Sequence, residues 1–347
     1  ANQPYDNNPE ANEHDEPWPG GRPNHYLFDL NRDWAWATQI ETQERLKVYN
    51  QWMPHIHVDF HEQGINSPYY FAPAAEPYHD IITDWQREFQ IMIGRNHAKY
   101  FDQKGWLFFT RERFDLLYPS YGDTYPTFMG AIGMTYEQAG HGRAGLGIIN
   151  DEGHELTLFE RLTHHTTTGI STVEMASQHN SDLIRSFKEF FNNINIAYKS
   201  FVMKGHEDHI DQLKALLNQH RIIYESPTVD QVKGYRYDTG KTGKLDVGAK
   251  SLVVHTNQPK GKMVKALFEP KTFLSDSLTY DITAWSLPYA YGLDAVASKT
   301  LVPSTQLAKK MLPQVLTEAY GYVCEWNSLK DAQFLAELLQ KKFKVRF

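Results

Sequence analysis

Cysteine is nearly absent from this 347-residue chain. The single one, Cys324, can form no internal disulfide and no thiolate cage for a metal. Long apolar runs are missing too. No stretch reaches about 18 consecutive apolar residues, so no segment is expected to cross a membrane as a helix. Positive charge is not in excess: 35 basic against 42 acidic residues leave a net charge of −7. That balance argues against nucleic acid as a partner, because phosphate backbones call for a basic patch. Internal repeats and low-complexity tracts are not found. Aromatic residues, by contrast, are plentiful at 14%, with 20 Tyr and 8 Trp, which suits ring-lined grooves. A chain this long exceeds one ordinary core, so two domains are expected.

The ends carry their own expectation. The chain opens at Ala1 in the Pro/Asn/Glu-rich "NQPYDNNPEANEHDEPWPGGRPN" and closes on "DAQFLAELLQKKFKVRF", an amphipathic helix running into a strand. Both features suggest an excerpt from a longer protein.

Residues 1–25 read as extended loop. "HYLFDL" (25–30) is a strand candidate, 34–53 a helix ended by Pro54, and 55–61 a strand. In that strand His55, His57, Asp59 and His61 face one way and Ile56, Val58 and Phe60 the other. A helix is expected over 74–101, a strand over 105–110, a Tyr/Pro/Gly-rich loop over 111–130, a buried strand over 131–140 and a helical stretch over 157–193. The spacing predicts an α/β fold over 1–195, with a mostly parallel mixed sheet flanked by helices. A second, smaller α/β domain is expected over 196–347, with "TYDITAWSLPYAYGLDAVA" (279–297) as an aromatic loop. Ligands of such sheets lie beyond the carboxyl ends of the strands, where His61 and Glu137 fall.

Several residues could carry chemistry. "DFHEQG" puts His61 at a strand tip, a position from which an imidazole can ligate a metal. Asp59 on the same face could orient it, and His55 and His57 read as packed. Taken alone, a polar strand end is the better account. "FDLNRDW" places Asn31 and Arg32 after a strand, where a guanidinium can fork onto a carboxylate. "GMTYEQAG" ends an apolar strand on Glu137, a loop cap or a general base whose pKa burial would raise. "FDLLYPSYGDTYP" offers Tyr118, Tyr121 and Tyr125, for which packing is the default. His206 and His209 in "GHEDHI" read as a solvated helix start.

In order, Asn-Arg, strand-end His, Tyr-rich loop and strand-end Glu resemble the zinc carboxypeptidase (metallocarboxypeptidase) family over about residues 1–195. The resemblance implies that Asn31 and Arg32 grip the substrate's terminal carboxylate and that His61 is a zinc ligand. It also implies Glu137 as general base, Tyr118 or, second, Tyr121 as the Tyr that folds over substrate, and Arg22 as the group that polarises the scissile carbonyl. The activity implied is hydrolysis of C-terminal peptide bonds in a substrate with a free carboxylate. Zinc is expected in the full-length protein and weak or absent in this chain. A periplasmic or extracellular location is implied by family habit alone.

One departure stands out. The family's upstream His-x-x-Glu zinc motif is not found before Asn31, since His14-Asp15-Glu16 has the wrong spacing. Either the excerpt starts after those ligands, or the chain is a non-hydrolytic relative that binds peptide carboxylates. Within 196–347, "PKGKMVKALFEPKTFLSDSLTYDITAWSLPYAYGLDA" (259–295) resembles the segment that follows the peptidase domain in long bacterial members, and an accessory role is expected for the domain.

Overall fold

The computed structural model describes residues 20–192, 195–248, 250–282, 284–307, 320–324 and 326–346. The run 1–19, with His14-Asp15-Glu16, lies outside them. The chain divides into two compact units. The first comprises the described residues of 1–194 with Pro259–Leu267 and Lys271–Trp285; the second holds the remainder.

In chain order the first unit runs α1 (Ile40–Trp52), β1 (Ile56–Gln63), β2 (Tyr69–Tyr70), β3 (Ala75–Tyr78), α2 (Asp84–Lys104), β4 (Phe108–Phe109), β5 (Asp115–Leu116), α3 (Thr124–Phe128), β6 (Ile132–Ala139), β7 (Gly147–Ile149), β8 (Glu155–Thr157), α4 (Leu158–Gln178) and α5 (Asn180–Phe190). Four strands form a mixed sheet in the order β1-β6-β2-β4. β1 and β6 are parallel over their whole length, β2 and β4 are parallel, and β2 meets β6 antiparallel at Tyr70 and Glu137.

The alternation in β1 becomes two faces. Val58 sits opposite Met134 and Phe60 opposite Tyr136, while Asp59 sits opposite Thr135 and His61 opposite Glu137. The apolar face meets Phe89, Ile93 and Phe101 of α2 and Met175 of α4 in the principal core. Polar residues take the other face because side chains alternate across a strand. Each long helix starts at a reciprocal cap. Thr83 with Gln86 opens α2, and Thr157 with Glu160 opens α4. Gly105, at φ 69°, ends α2 in the left-handed conformation that glycine adopts without strain.

Several expectations are corrected. Residues 25–30 form no strand: Leu27 turns at φ 64°, and the Asp29 carboxylate accepts from the Asn31 amide at 2.8 Å, winding Leu30–Arg32 into a 3₁₀ turn. The 74–101 helix begins only at Asp84, because Ala75–Tyr78 pairs with Asp115–Leu116 as strands and Thr83 sets the cap. The 111–130 loop contains β5 and α3, and the 157–193 stretch breaks at His179 into two helices.

The second unit is built on an antiparallel sheet. Its elements are β9 (Ser200–Lys204), α6 (Glu207–Gln219), β10 (Tyr224–Pro227), β11 (Gln231–Arg236), β12 (Thr242–Asp246) and β13 (Leu252–His255). After α7 (Gly261–Phe268), most of which belongs to the first unit, come α8 (Leu287–Ala290), β14 (Asp294–Ser298), β15 (Ser304–Thr305) and α9 (Leu329–Gln340). The strand order is β12-β11-β14-β9-β13-β10-β15. α8 and β14 occupy part of the stretch 279–297 expected as loop. His206 caps α6, with Glu207 and Asp208 in its first turn, in keeping with a helix start. Past α9 the described residues carry no strand.

Candidate functional site

The polar face of β1 and β6 lines a cavity of about 250 Å³ in the first unit. Arg22, Asn31, Arg32, His61, Tyr121 and Glu137 all line it, so six of the seven residues singled out from the sequence converge. His61 and Glu137 are register partners on adjacent parallel strands, which points both side chains the same way.

Around His61 the contacts compete. Nε2 lies 2.6 Å from Asp59 Oδ2 and 3.0 Å from Asn31 Nδ2. Protonated there, it donates to Asp59; with the proton on Nδ1 it accepts from Asn31. Burial lowers its pKa, but the hydrogen bond to Asp59 and the charges of Asp59, Glu137 and Asp123 outweigh that and raise it. Asp59, expected beside an imidazole, is within hydrogen-bond distance of His61. His57 packs edge-on against Trp34 and Tyr49, and His55 against Phe187.

Glu137 is 8% exposed, and its Oε2 has no hydrogen-bond partner among the described residues. Burial pushes its pKa up to about 7, against the lowering effect of His61. A carboxyl in this state can take up or release a proton near neutrality. Asp123, also lining the cavity, is pushed up to about 6 by burial, while the hydroxyls of Thr135 and Thr124 donate to it at 2.9 and 3.0 Å.

The guanidinium groups are held by carboxylates. Arg22 Nε lies 2.8 Å from Asp29 Oδ2. Arg32 Nε lies 3.0 Å from Asp281 Oδ2, its NH1 3.8 Å from Asp29, and its plane 4.5 Å over the Tyr121 ring. Asn31 is fixed in turn, its Oδ1 accepting from the Gly122 amide at 2.6 Å. Gly122 is required here, because a Cβ would fall 2.0 Å from Asp59 Oδ2.

Tyr118 is not brought to the cavity. It packs in an aromatic cluster with Leu117, Tyr121 and Trp285, and its hydroxyl accepts from Trp36 Nε1. Buried and bonded there, it is unavailable to fold over a ligand, and Tyr121 takes the cavity-facing place. Sequence reasoning missed Gly122, Asp123, Arg113 and Asp281. A Gly-Asp step in a Tyr-rich loop reads as a plain turn, and Asp281 lies 249 positions from the arginine it meets.

At His61 the described residues do not fit a zinc ion. His61 supplies one imidazole, bonded to Asp59 and opposite Glu137 on the next strand, and no three His, Cys, Asp or Glu groups converge there among the described residues. No protein-family model, no curated protein and no solved structure matches this chain.

Proposed function

We propose that the first unit is a carboxypeptidase-like unit whose cleft binds the free C-terminal carboxylate of a peptide. Zinc-dependent hydrolysis of the last peptide bond is the activity proposed for the protein once residues other than the described ones complete the metal site. The observation that carries the reading is the convergence of His61, Glu137, Asn31 and Arg32 on one cavity, in roles that the resemblance assigned separately. The fold on which the reading rests is the mixed sheet with β1 and β6 parallel at its edge.

The chain's own residues divide the work. Arg32 offers a planar guanidinium, and Asn31 an amide whose orientation Gly122 fixes, to a planar carboxylate. Glu137 holds a proton-accepting oxygen with no partner among the described residues, beside His61. Tyr121 forms the cavity wall under Arg32. Arg22, which lines the same cavity, is the group proposed to meet a carbonyl oxygen.

A second reading has its own support. Among the described residues no third His, Cys, Asp or Glu group converges on His61 and Asp59, which favours a module that binds peptide carboxylates without cleaving them. Calorimetric titration of the chain with N-acetyl dipeptides, as free acids and as C-terminal amides, tests the shared element. Free acids are expected to bind and amides not; equal binding of both would remove the carboxylate from the reading. Hydrolysis of the acids by the metal-loaded protein then separates enzyme from binder.

A further inference from the structure

The segment between α7 and α8 has no regular structure over 269–282, yet it supplies a carboxylate to the cleft. A stretch this long without secondary structure inside a folded unit is commonly functional. Lys271–Trp285 belongs to the first unit. Ser275 Oγ donates to Glu76 at 2.8 Å, and the Tyr280 amide donates to Asp115 at 2.7 Å. The Tyr280 ring rests 5.2 Å from Phe114 and 6.0 Å from Tyr121. Phe273, Leu274 and Leu278 are left exposed, whereas Ile282 and the buried Trp285 pack into the cluster with Leu117, Tyr118 and Tyr121, so apolar burial holds the end of the strap and little of it holds 273–278.

At its end Asp281 Oδ2 lies 3.0 Å from Arg32 Nε. We propose that Asp281 is a specificity-determining residue: its side-chain carboxylate occupies Arg32 in place of a peptide's terminal carboxylate, and the cleft admits only ligands able to exchange for it. The inference rests on the carboxylate-binding reading above and deepens it.

The chemistry of exchange makes the site selective. Arg32 already carries Asp281 and, at 3.8 Å, Asp29, so a neutral amide or hydroxyl gains nothing by approaching it. A carboxylate replaces a like charge with a like charge and leaves the guanidinium neutralised throughout. The tethered Asp281 competes at the effective concentration its strap allows, and apparent affinity falls by the fraction of molecules in which Arg32 is free. Tyr280 lines both the cleft and a neighbouring cavity of about 800 Å³ bordered by Arg87, Arg111 and Asp276, so release of the strap joins the two spaces.

The test compares the full chain with Asp281→Ala, Asp281→Asn and Arg32→Ala. Each is titrated with N-acetyl dipeptides whose last residue is apolar, basic or acidic, as free acids and amides. Thermal unfolding checks that every variant is folded. Asp281→Ala is expected to bind free acids roughly tenfold tighter, with Asp281→Asn between it and the parent, and Arg32→Ala to bind them about two to three orders of magnitude more weakly. Saturating free acid is also expected to speed proteolysis within 271–282 in the parent, and Asp281→Ala to be cut as fast without ligand. Arg32-dependent binding that is equal in parent and Asp281→Ala would overturn the proposal and leave the carboxylate reading standing. Absence of Arg32-dependent binding in every variant would overturn both.

Discussion

Buried polar groups of the second unit and polar groups of the first unit's cleft are bonded differently. In the second unit, His255 is held on both nitrogens, by Ser200 at 2.8 Å and Ser304 at 2.9 Å. Gln258 donates to the Ile223 and His255 carbonyls at 2.9 and 2.7 Å and accepts from the Ile223 amide at 2.7 Å. In the cleft, Glu137 Oε2 has no partner among the described residues, His61 Nε2 faces two, and Arg32 is met by a carboxylate on an exposed strap. Groups whose bonding capacity is filled by their own chain hold a fold together. Groups left open or bonded exchangeably retain free energy for a ligand.

The contrast can be broken most directly at Arg32. Arg32→Ala is expected to weaken binding of a free-acid dipeptide by about two to three orders of magnitude while leaving the melting temperature nearly unchanged. Calorimetry and thermal unfolding on one preparation check both halves. A large stability loss with intact binding would place Arg32 among the groups that hold the fold.

Glu137 sharpens the comparison through pH. Its folded pKa, about 7, lies above its ordinary value of 4.5, so the folded state favours the protonated form. The contribution to stability is full below about pH 4.5 and is lost as pH rises through about 7. Glu137→Gln cannot ionise and should flatten that fall, gaining on the order of 2–3 kcal/mol over the parent at pH 8 and little at pH 4. Urea unfolding at both values is the measurement, and parallel curves for the two proteins would contradict it. Where hydrolysis is measurable, the same substitution should remove turnover and leave affinity largely intact.

His255→Ala is the mirror of the Arg32 test. It strips one partner from each of Ser200 and Ser304 and should lower stability by about 1–2 kcal/mol, with peptide binding untouched. The smallest expected effect is with metal. Residues 1–347 should take up no stoichiometric zinc by elemental analysis, and His61→Ala should not change that figure; tight uptake at one ion per chain would reveal a ligand set elsewhere.

The strands that position the cleft were legible because they obey a period of two. Alternation from Ile56 to His61 and the apolar run into Glu137 both read directly as strands, and burial of one face fixes the other toward the cavity. The expected start of the 157–193 stretch coincides with the Thr157 cap of α4, whereas the capped start of α2 and the break at His179 lie inside longer helical patterns that the periodicity could not divide. The 3₁₀ turn at Leu30–Arg32 hid because Asp29, a side chain, makes the turn in place of a glycine or proline. No local pattern joins Arg32 to Asp281, since that pairing is decided by where an unpatterned segment returns.

Gly122 sits between Tyr121, whose ring lies under Arg32, and the buried carboxyl of Asp123, and its own amide steadies Asn31. Three walls of the cleft are thereby welded at a corner that has room for a hydrogen and nothing more. A methyl at that corner would fall 2.0 Å from Asp59 Oδ2 and 3.0 Å from Asn31 Oδ1, so any reshaping that starts there must move the Asp59 side chain, the partner of His61, before it gains room.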